Sequence, residues 1–333
     1  VRAVVLVGGF GTRLRPLTLT TPKQLLPILD IPMIERKIAH LVQQGVDDIV
    51  FSMGYRPDAF YDAYPDNECG GAKVQYVVEP EPLGTAGAIA FAARQAGIDE
   101  TFLAMNGDTL TDLDVGALVE LHRSSNAEGT ITLTPVDDPS RFGVVPTDAN
   151  NRVEAFIEKP KREEAPTNLI NAGTYVLEPS FLDRVPEGKE VSIEREIFPR
   201  MVEEGRLFAG HFNRYWLDIG TPESYLQGNI DALVTDNSGN AYVGAGSNVA
   251  IDAQVIGSVI GHGSTVGPGV RIVESVVLPG ATIEAGAVIE RSIVAENATV
   301  GSGAVLDDLT VIGAGVAVEP GAKLSNQKVS QEQ

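Results

Sequence analysis

Apolar positions in this chain follow two different rhythms, one up to about residue 232 and another beyond residue 240. In the first stretch, unbroken runs of aliphatic and β-branched residues alternate with segments patterned at helical spacing. Residues 2–7 (RAVVLV), 48–53 (DIVFSM), 73–78 (KVQYVV) and 102–105 (FLAM) predict buried strands. Ile34, Ile38, Leu41 and Val42 share one helical face that Gly45 terminates, and 84–94 is an alanine-rich helix. This strand–helix–strand order predicts an α/β fold: a largely parallel sheet with helices on both faces and ligands at the carboxyl ends of its strands.

Beyond residue 240 the charged helical faces disappear. Val243, Val249 and Val255 stand six apart and Ile260 follows after five; Val266, Ile272 and Val277 repeat the step. Ile283, Ile289 and Val294 repeat it again, with Val300 and Leu306 following. The repeat is 17 residues long, in copies 241–257, 258–274, 275–291 and 292–308; a fifth from 309 slips by one, with Ile312, Val318 and Leu324 in phase. Inward aliphatics at a six-residue step suit a triangular solenoid whose stacked coils share one core. A flexible linker has no reason to hold aliphatics in phase over five copies.

The 333 residues therefore divide into a domain at 1–235, a solenoid of about five coils at 241–325 and a polar tail at 326–333. Acidic residues number 45 against 25 Lys and Arg, a net charge of −20 that argues against nucleic acid or an anionic membrane as partner. The cations are unevenly placed: Arg2, Arg13, Arg15, Lys23, Arg36 and Lys37 face only Asp30 and Glu35 in the first 40 residues. A small polyanion is the partner this asymmetry implies. The single cysteine, Cys69, excludes an internal disulfide and points to a reducing cytoplasm. No apolar run approaches membrane-spanning length.

The cations border a glycine turn. Gly8-Gly9-Phe10-Gly11-Thr12-Arg13-Leu14-Arg15-Pro16 follows the first strand, with Thr21-Pro22-Lys23 after it. Glycines there let backbone N–H groups approach an anion, while Arg13, Arg15 and Lys23 supply charge for phosphates. The turn is neither G-x-G-x-x-G, since Leu14 replaces the third glycine, nor a P-loop. Asp108 ends an apolar strand in Asn106-Gly107-Asp108, and Asp218 lies in Trp216-Leu217-Asp218-Ile219-Gly220. Two carboxylates facing a phosphate site suit Mg²⁺, although each taken alone fits a cap or turn equally well. Glu158-Lys159 ends a short strand and Asn171-Ala172-Gly173 offers an amide beside small backbone, both suited to a sugar phosphate and both ordinary at a surface.

Taken in order, GGFGTRLRPLT (8–18), TPKQ (21–24), PLGTAG (82–87), NGD (106–108), FIEKP (156–160), NAG (171–173) and WLDIGTP (216–222) resemble the sugar-1-phosphate nucleotidyltransferases. The nearest branch is the GDP-mannose pyrophosphorylases, whose layout of a Rossmann-like domain followed by a left-handed parallel β-helix the solenoid also matches. The resemblance implies that a nucleoside triphosphate and a sugar 1-phosphate are the substrates and Mg²⁺ the cofactor. It places Arg13, Lys23 and Asp108 in catalysis and Asp108 and Asp218 on the metal. Leu6, Gly8, Gly9, Gly11, Thr12, Glu79 and Gly84 would bind the nucleotide, and Gly143, Glu158, Lys159 and Asn171 the sugar phosphate. Phe10 departs from the small, polar or basic residue common there.

Glu79 stands where thymidylyl-transferring relatives tend to have Gln. A carboxylate accepts from the paired N1–H and N2–H₂ donors of guanine but repels the carbonyls of thymine and uracil, which favours GTP. Mannose rests on the resemblance alone, with glucose-1-phosphate thymidylyl- or uridylyltransferase the nearest alternative. Two further classes stay open on the residues: a non-catalytic regulatory subunit, and a hexapeptide acyltransferase using His262, the solenoid's one histidine, at a turn without an evident acid partner. The resemblance also implies a homo-oligomer to which the β-helix contributes.

Overall fold

The computed structural model describes residues 1–236 and 238–331, which form two compact units. The first comprises Val1–Gly9 and Glu35–Trp216; the second comprises Phe10–Ile34 and the described residues from Leu217 onward.

At the centre of the first unit, strands β1 (Ala3–Leu6), β2 (Asp48–Met53), β3 (Ala72–Val78) and β4 (Phe102–Asn106) run parallel in the order β4-β1-β2-β3. Ala3, Val4 and Val5 of β1 are wholly buried, which is why the segment reads as an unbroken apolar run and not as an alternating one. Beyond β4 the sheet becomes mixed. β5 (Gly129–Pro135) pairs antiparallel with β6 (Leu169–Leu177), which itself lies antiparallel to β4, and β7 (Leu207–His211) joins β5 in parallel. Helix α1 (Gly84–Gln95) buries Ala86, Ala90, Ala92 and Ala93 together with Ile89 in the same core as Val4, Val50 and Ala104. Alanines let a helix approach a sheet closely and cost no side-chain entropy.

In the second unit the 17-residue repeat becomes three parallel sheets. One contains Ala241–Val243, Ser258–Ile260, Val276–Val277, Ile293–Val294, Val311–Ile312 and Lys328–Val329; the other two have five strands each. Partners are 17 apart through Val288↔Val305, 18 apart from Ile293↔Val311 to Val305↔Lys323 and 17 apart again at Val311↔Lys328, so the slip seen in the sequence is one inserted residue. It sits at a corner. Gly257, Glu274 and Arg291 each turn that corner with a single left-handed residue, whereas Asp308 and Leu309 both take positive φ. Ser258, Ser275 and Ser292 stack at the same edge: the hydroxyls of Ser258 and Ser275 accept the N–H of the next serine at 3.0 and 3.1 Å, and all three donate to the carbonyl two residues earlier. The ladder satisfies polar groups that are fully buried. Lys328–Val329 adds a sixth rung to one face, within the stretch that reads as polar tail.

The same unit contains the cationic segment. Its short 3₁₀ turns lead into a hairpin of Pro27–Ile28 with Ile31–Pro32, turned by Leu29 and Asp30 at φ 49° and 65°. Helix α2 (Pro222–Thr235) starts at a capping box, in which Thr221 and Ser224 each bond the other's backbone N–H.

Candidate active site

The residues singled out from the sequence are distributed over both units. Leu6, Gly8, Gly9, Glu79, Gly84, Asp108, Gly143, Glu158, Lys159 and Asn171 belong to the first; Gly11, Thr12, Arg13, Lys23 and Asp218 belong to the second.

In the first unit they gather at strand ends. Leu6 closes β1, and its carbonyl accepts the Gly107 N–H at 2.9 Å. A methyl group on Gly8 would lie 2.8 Å from the Gly54 nitrogen, so the turn after β1 leaves no room for a side chain. At the end of β4, Asn106 packs on Gly173, where a Cβ would lie 2.5 Å from Asn106 Nδ2. Gly173 also has φ 75°, so both space and backbone demand glycine. The NGD and NAG motifs are thus one packed assembly. Asn171 is held on both sides: Oδ1 accepts the Gly173 N–H at 3.0 Å and Nδ2 donates to the Tyr175 hydroxyl at 2.9 Å. The pairing of β6 with β5 shifts register between Asn171 and Tyr175, a bulge that re-aims the side chains there.

Gly143 pairs opposite Glu158, and a methyl there would strike the Phe156 ring and approach Glu158 Oε2 at 3.2 Å. Lys159, at φ 50°, sets its ammonium 3.3 Å from Glu158 Oε1. Its side chain is 57% exposed, so the charge remains accessible to an anion. Trp216 donates its indole N–H to the Ala172 carbonyl at 2.9 Å and meets the Phe142 ring edge-on. Gly143, Glu158 and Lys159 thus lie at one edge of the sheet, next to β6, the interior strand that holds Asn171, with an aromatic border.

Glu79 is half-buried just past β3. Oε2 accepts the Leu83 N–H at 3.1 Å, and burial raises the carboxyl above its ordinary range against that hydrogen bond. Gly84 is close behind, at φ 69°, where a Cβ would lie 2.7 Å from the Val191 carbonyl oxygen. That carbonyl already accepts the Ala86 and Gly87 N–H groups, so the first turn of α1 is satisfied within the protein.

Lys37 is a member of this cluster that sequence reasoning passed over. It is buried beneath the NGD turn, donates to Thr109 Oγ1 at 2.8 Å, and faces the Asp108 charge. Desolvation lowers its pKa to about 8 despite that carboxylate. The signal was present: Lys37 falls on the apolar face of Ile34, Ile38 and Leu41, where a charge is out of place.

In the second unit the glycine turn folds back on itself. Gly11 takes φ 61°, Thr18 Oγ1 donates to its carbonyl at 2.7 Å, and a Cβ on Gly11 would lie 3.3 Å from that of Lys23. Thr12 and Arg13 are exposed. The bare face of Gly220 joins two chemical groups: a methyl there would lie 2.7 Å from Arg13 Nη2 and 3.0 Å from Asp218 Oδ2. Arg13 and Asp218 therefore converge on one small cradle. Among the described residues no three His, Cys, Asp or Glu side chains group as a metal site. Taken singly, Asp108 facing Lys37 in the first unit and Asp218 beside Arg13 in the second each have the chemistry of a Mg²⁺ ligand, an ion that needs only one or two protein oxygens when it is shared with substrate phosphates.

Comparison with known proteins identifies the family. A nucleotidyl transferase family model matches residues 2–234, and a model described as the EIF2B subunit epsilon LbH domain matches 227–324. The chain belongs to the nucleotidyl transferase family. The second match agrees with a left-handed β-helix for the solenoid. Mannose-1-phosphate guanylyltransferase of Mycobacterium tuberculosis is 43% identical over 235 residues, which span 70% of this chain and 65% of that protein. Mannose-1-phosphate guanyltransferase of Aspergillus oryzae is 40% identical over 264 residues, 75% of this chain and 71% of its own. Among solved structures, HddC from Yersinia pseudotuberculosis aligns at TM-score 0.60 and 32% identity, covering 69% of this chain and 98% of that one. The same protein complexed with GMP-PN aligns at 0.59. No helix among the described residues is long and apolar enough to cross a membrane.

Proposed function

We propose that this nucleotidyltransferase moves GMP from GTP to mannose 1-phosphate and releases pyrophosphate. The observation that carries the reading is the placement of Glu158, Lys159, Gly143 and Asn171 on and beside three neighbouring strands, in a chain whose relatives at 40–43% identity are named for that reaction. The GMP-PN complex of HddC supports a guanine nucleotide.

A phosphate oxygen of the sugar phosphate attacks the α-phosphorus of GTP; the new P–O bond forms as the bond to the β-phosphate oxygen breaks. The attacking oxygen is already anionic, so no general base is needed, and the work is to align two anions against their repulsion. Lys159 holds the sugar phosphate, Lys23 the reacting phosphates and Arg13 the leaving pyrophosphate. Mg²⁺ held by Asp108 and Asp218 would neutralise phosphate charge. Glu79 would accept from guanine with Oε1, which takes a long 3.5 Å bond from Ser52 Oγ, since Oε2 is engaged by the Leu83 N–H at 3.1 Å.

Pyrophosphate release measured across four nucleoside triphosphates and a panel of sugar 1-phosphates tests the reading. GTP with mannose 1-phosphate should lead, and a lead for dTTP or UTP with glucose 1-phosphate would overturn it. Glu79→Gln should cost about 1–3 kcal/mol of preference for GTP over UTP, roughly 5- to 150-fold in the ratio of kcat/KM values. An unchanged ratio would remove Glu79 from base recognition. Homo-oligomer formation belongs to the same proposal, supported by exposed Val243, Ile251 and Ile256 on the first coil. A cytoplasmic setting is supported by the free, buried thiol of Cys69.

A further inference from the structure

The cationic segment does not merely share a unit with the solenoid; it lies along one row of its corners. Gly244, Gly261 and Gly313 each follow a strand of the six-stranded face, and Lys328 stands in its last strand. At the first coils, the Asp30 carboxylate accepts the His262 N–H with both oxygens, at 2.9 and 3.1 Å, while the largely exposed His262 ring stands 3.4 Å away. Gly244 makes room for that carboxylate, because any Cβ there would overlap Asp30 Oδ2. Further along, a Cβ on Gly313 would lie 3.2 Å from that of Pro16, and Lys328 Nζ donates to the Arg13 carbonyl at 3.4 Å. The opposite side of the hairpin is pinned by α2. Tyr225 donates to the Pro27 carbonyl at 2.6 Å, and the Leu29 N–H donates to Asn229 Oδ1 at 3.2 Å.

These contacts bracket Arg13 and Lys23. The hairpin closes at Met33 N–H to the Leu26 carbonyl, and Leu26 N–H in turn bonds the carbonyl of Lys23. Two backbone hydrogen bonds thus connect the foot of the Asp30 hairpin to Lys23. Asp30 is not itself within reach of a substrate role: its side chain is 12% exposed and both oxygens are engaged.

We propose that the β-helix positions the phosphate-binding segment, and that Asp30, seated between Gly244 and the His262 N–H, is the positioning residue that sets its register. The solenoid then contributes directly to nucleotide affinity, in addition to any part in assembly. This inference rests on the nucleotidyltransferase reading of Arg13 and Lys23.

The test compares full-length wild type with Asp30→Asn and Asp30→Gly. Both replacements tolerate the left-handed turn; the first swaps one acceptor for a donor and the second removes the side chain. KM for the nucleotide should rise about 5- to 20-fold in both, with KM for the sugar 1-phosphate within twofold, because its candidate residues lie in the other unit. GTP affinity measured by calorimetry should fall in parallel. A purely structural role would lower the melting temperature and leave nucleotide KM and Kd unchanged, and that result would overturn the proposal. If wild type turns over no substrate pair, the reaction reading fails, yet calorimetry still decides: weaker GTP binding by both variants supports the positioning role, and equal binding removes it.

Discussion

Asp108→Asn is expected to lower kcat by roughly a hundred- to a thousand-fold while the protein stays folded. The loss is the several kcal/mol that a ligand oxygen's charge contributes where phosphate charge must be neutralised. Asn preserves the shape of a half-buried side chain at the end of β4, so the packing of Asn106 on Gly173 survives. Circular dichroism and the melting profile should resemble those of wild type, apart from the modest cost of leaving Lys37 without its facing carboxylate. A Mg²⁺ titration should shift to higher concentration. Normal turnover by the folded variant would take Asp108 out of the metal site.

The second large effect concerns stability. Lys37→Met should raise unfolding free energy at pH 7 by about 1–2 kcal/mol, because a well-packed apolar chain replaces a buried ammonium whose desolvation outweighs its attraction to Asp108. The pH dependence identifies the cause. The native pKa of about 8 lies below the ordinary 10.5, so between those values the unfolded chain binds a proton that the native chain has released. Wild-type stability should therefore rise with pH across that window, by up to about 3 kcal/mol, and the variant should lose this rise. Denaturant midpoints at pH 7, 8.5 and 10 make the comparison. An alkaline rise that persists in Lys37→Met would assign it to another group.

Both predictions concern features that differ in how visible they are from the chain alone. The parallel centre of the sheet and the coils were legible because burial there is periodic: β2 falls on 48–53 as read, and even the slip in the fifth copy survives as the Asp308–Leu309 corner. The partners of the motifs were not. Asp30 reaches His262 across 232 positions, and no local pattern of charge or hydrophobicity encodes a contact at that separation. The grouping of Phe10–Ile34 with the solenoid was hidden for the same reason. Lys37 was missed differently. Counted among the cations of the first 40 residues, it looked like part of a phosphate-binding field, yet it is buried under Thr109. Net charge along a sequence does not say which charges reach solvent.

The placement of the cationic segment also orders events during synthesis. Residues 10–34 emerge early, but the carbonyl of Arg13 meets Lys328, 315 positions later, and Pro16 meets the turn at Gly313. At about 5–20 residues per second, ribosomes take roughly 15 to 60 seconds to bridge that interval. For that time the first unit can assemble its sheet around β1 while residues 10–34 lack their seat on the coils. On the proposed reading of Arg13 and Lys23 as phosphate-binding residues, nucleotide binding would accordingly appear late in translation, after the coils have stacked, and not when the N-terminal motif leaves the ribosome.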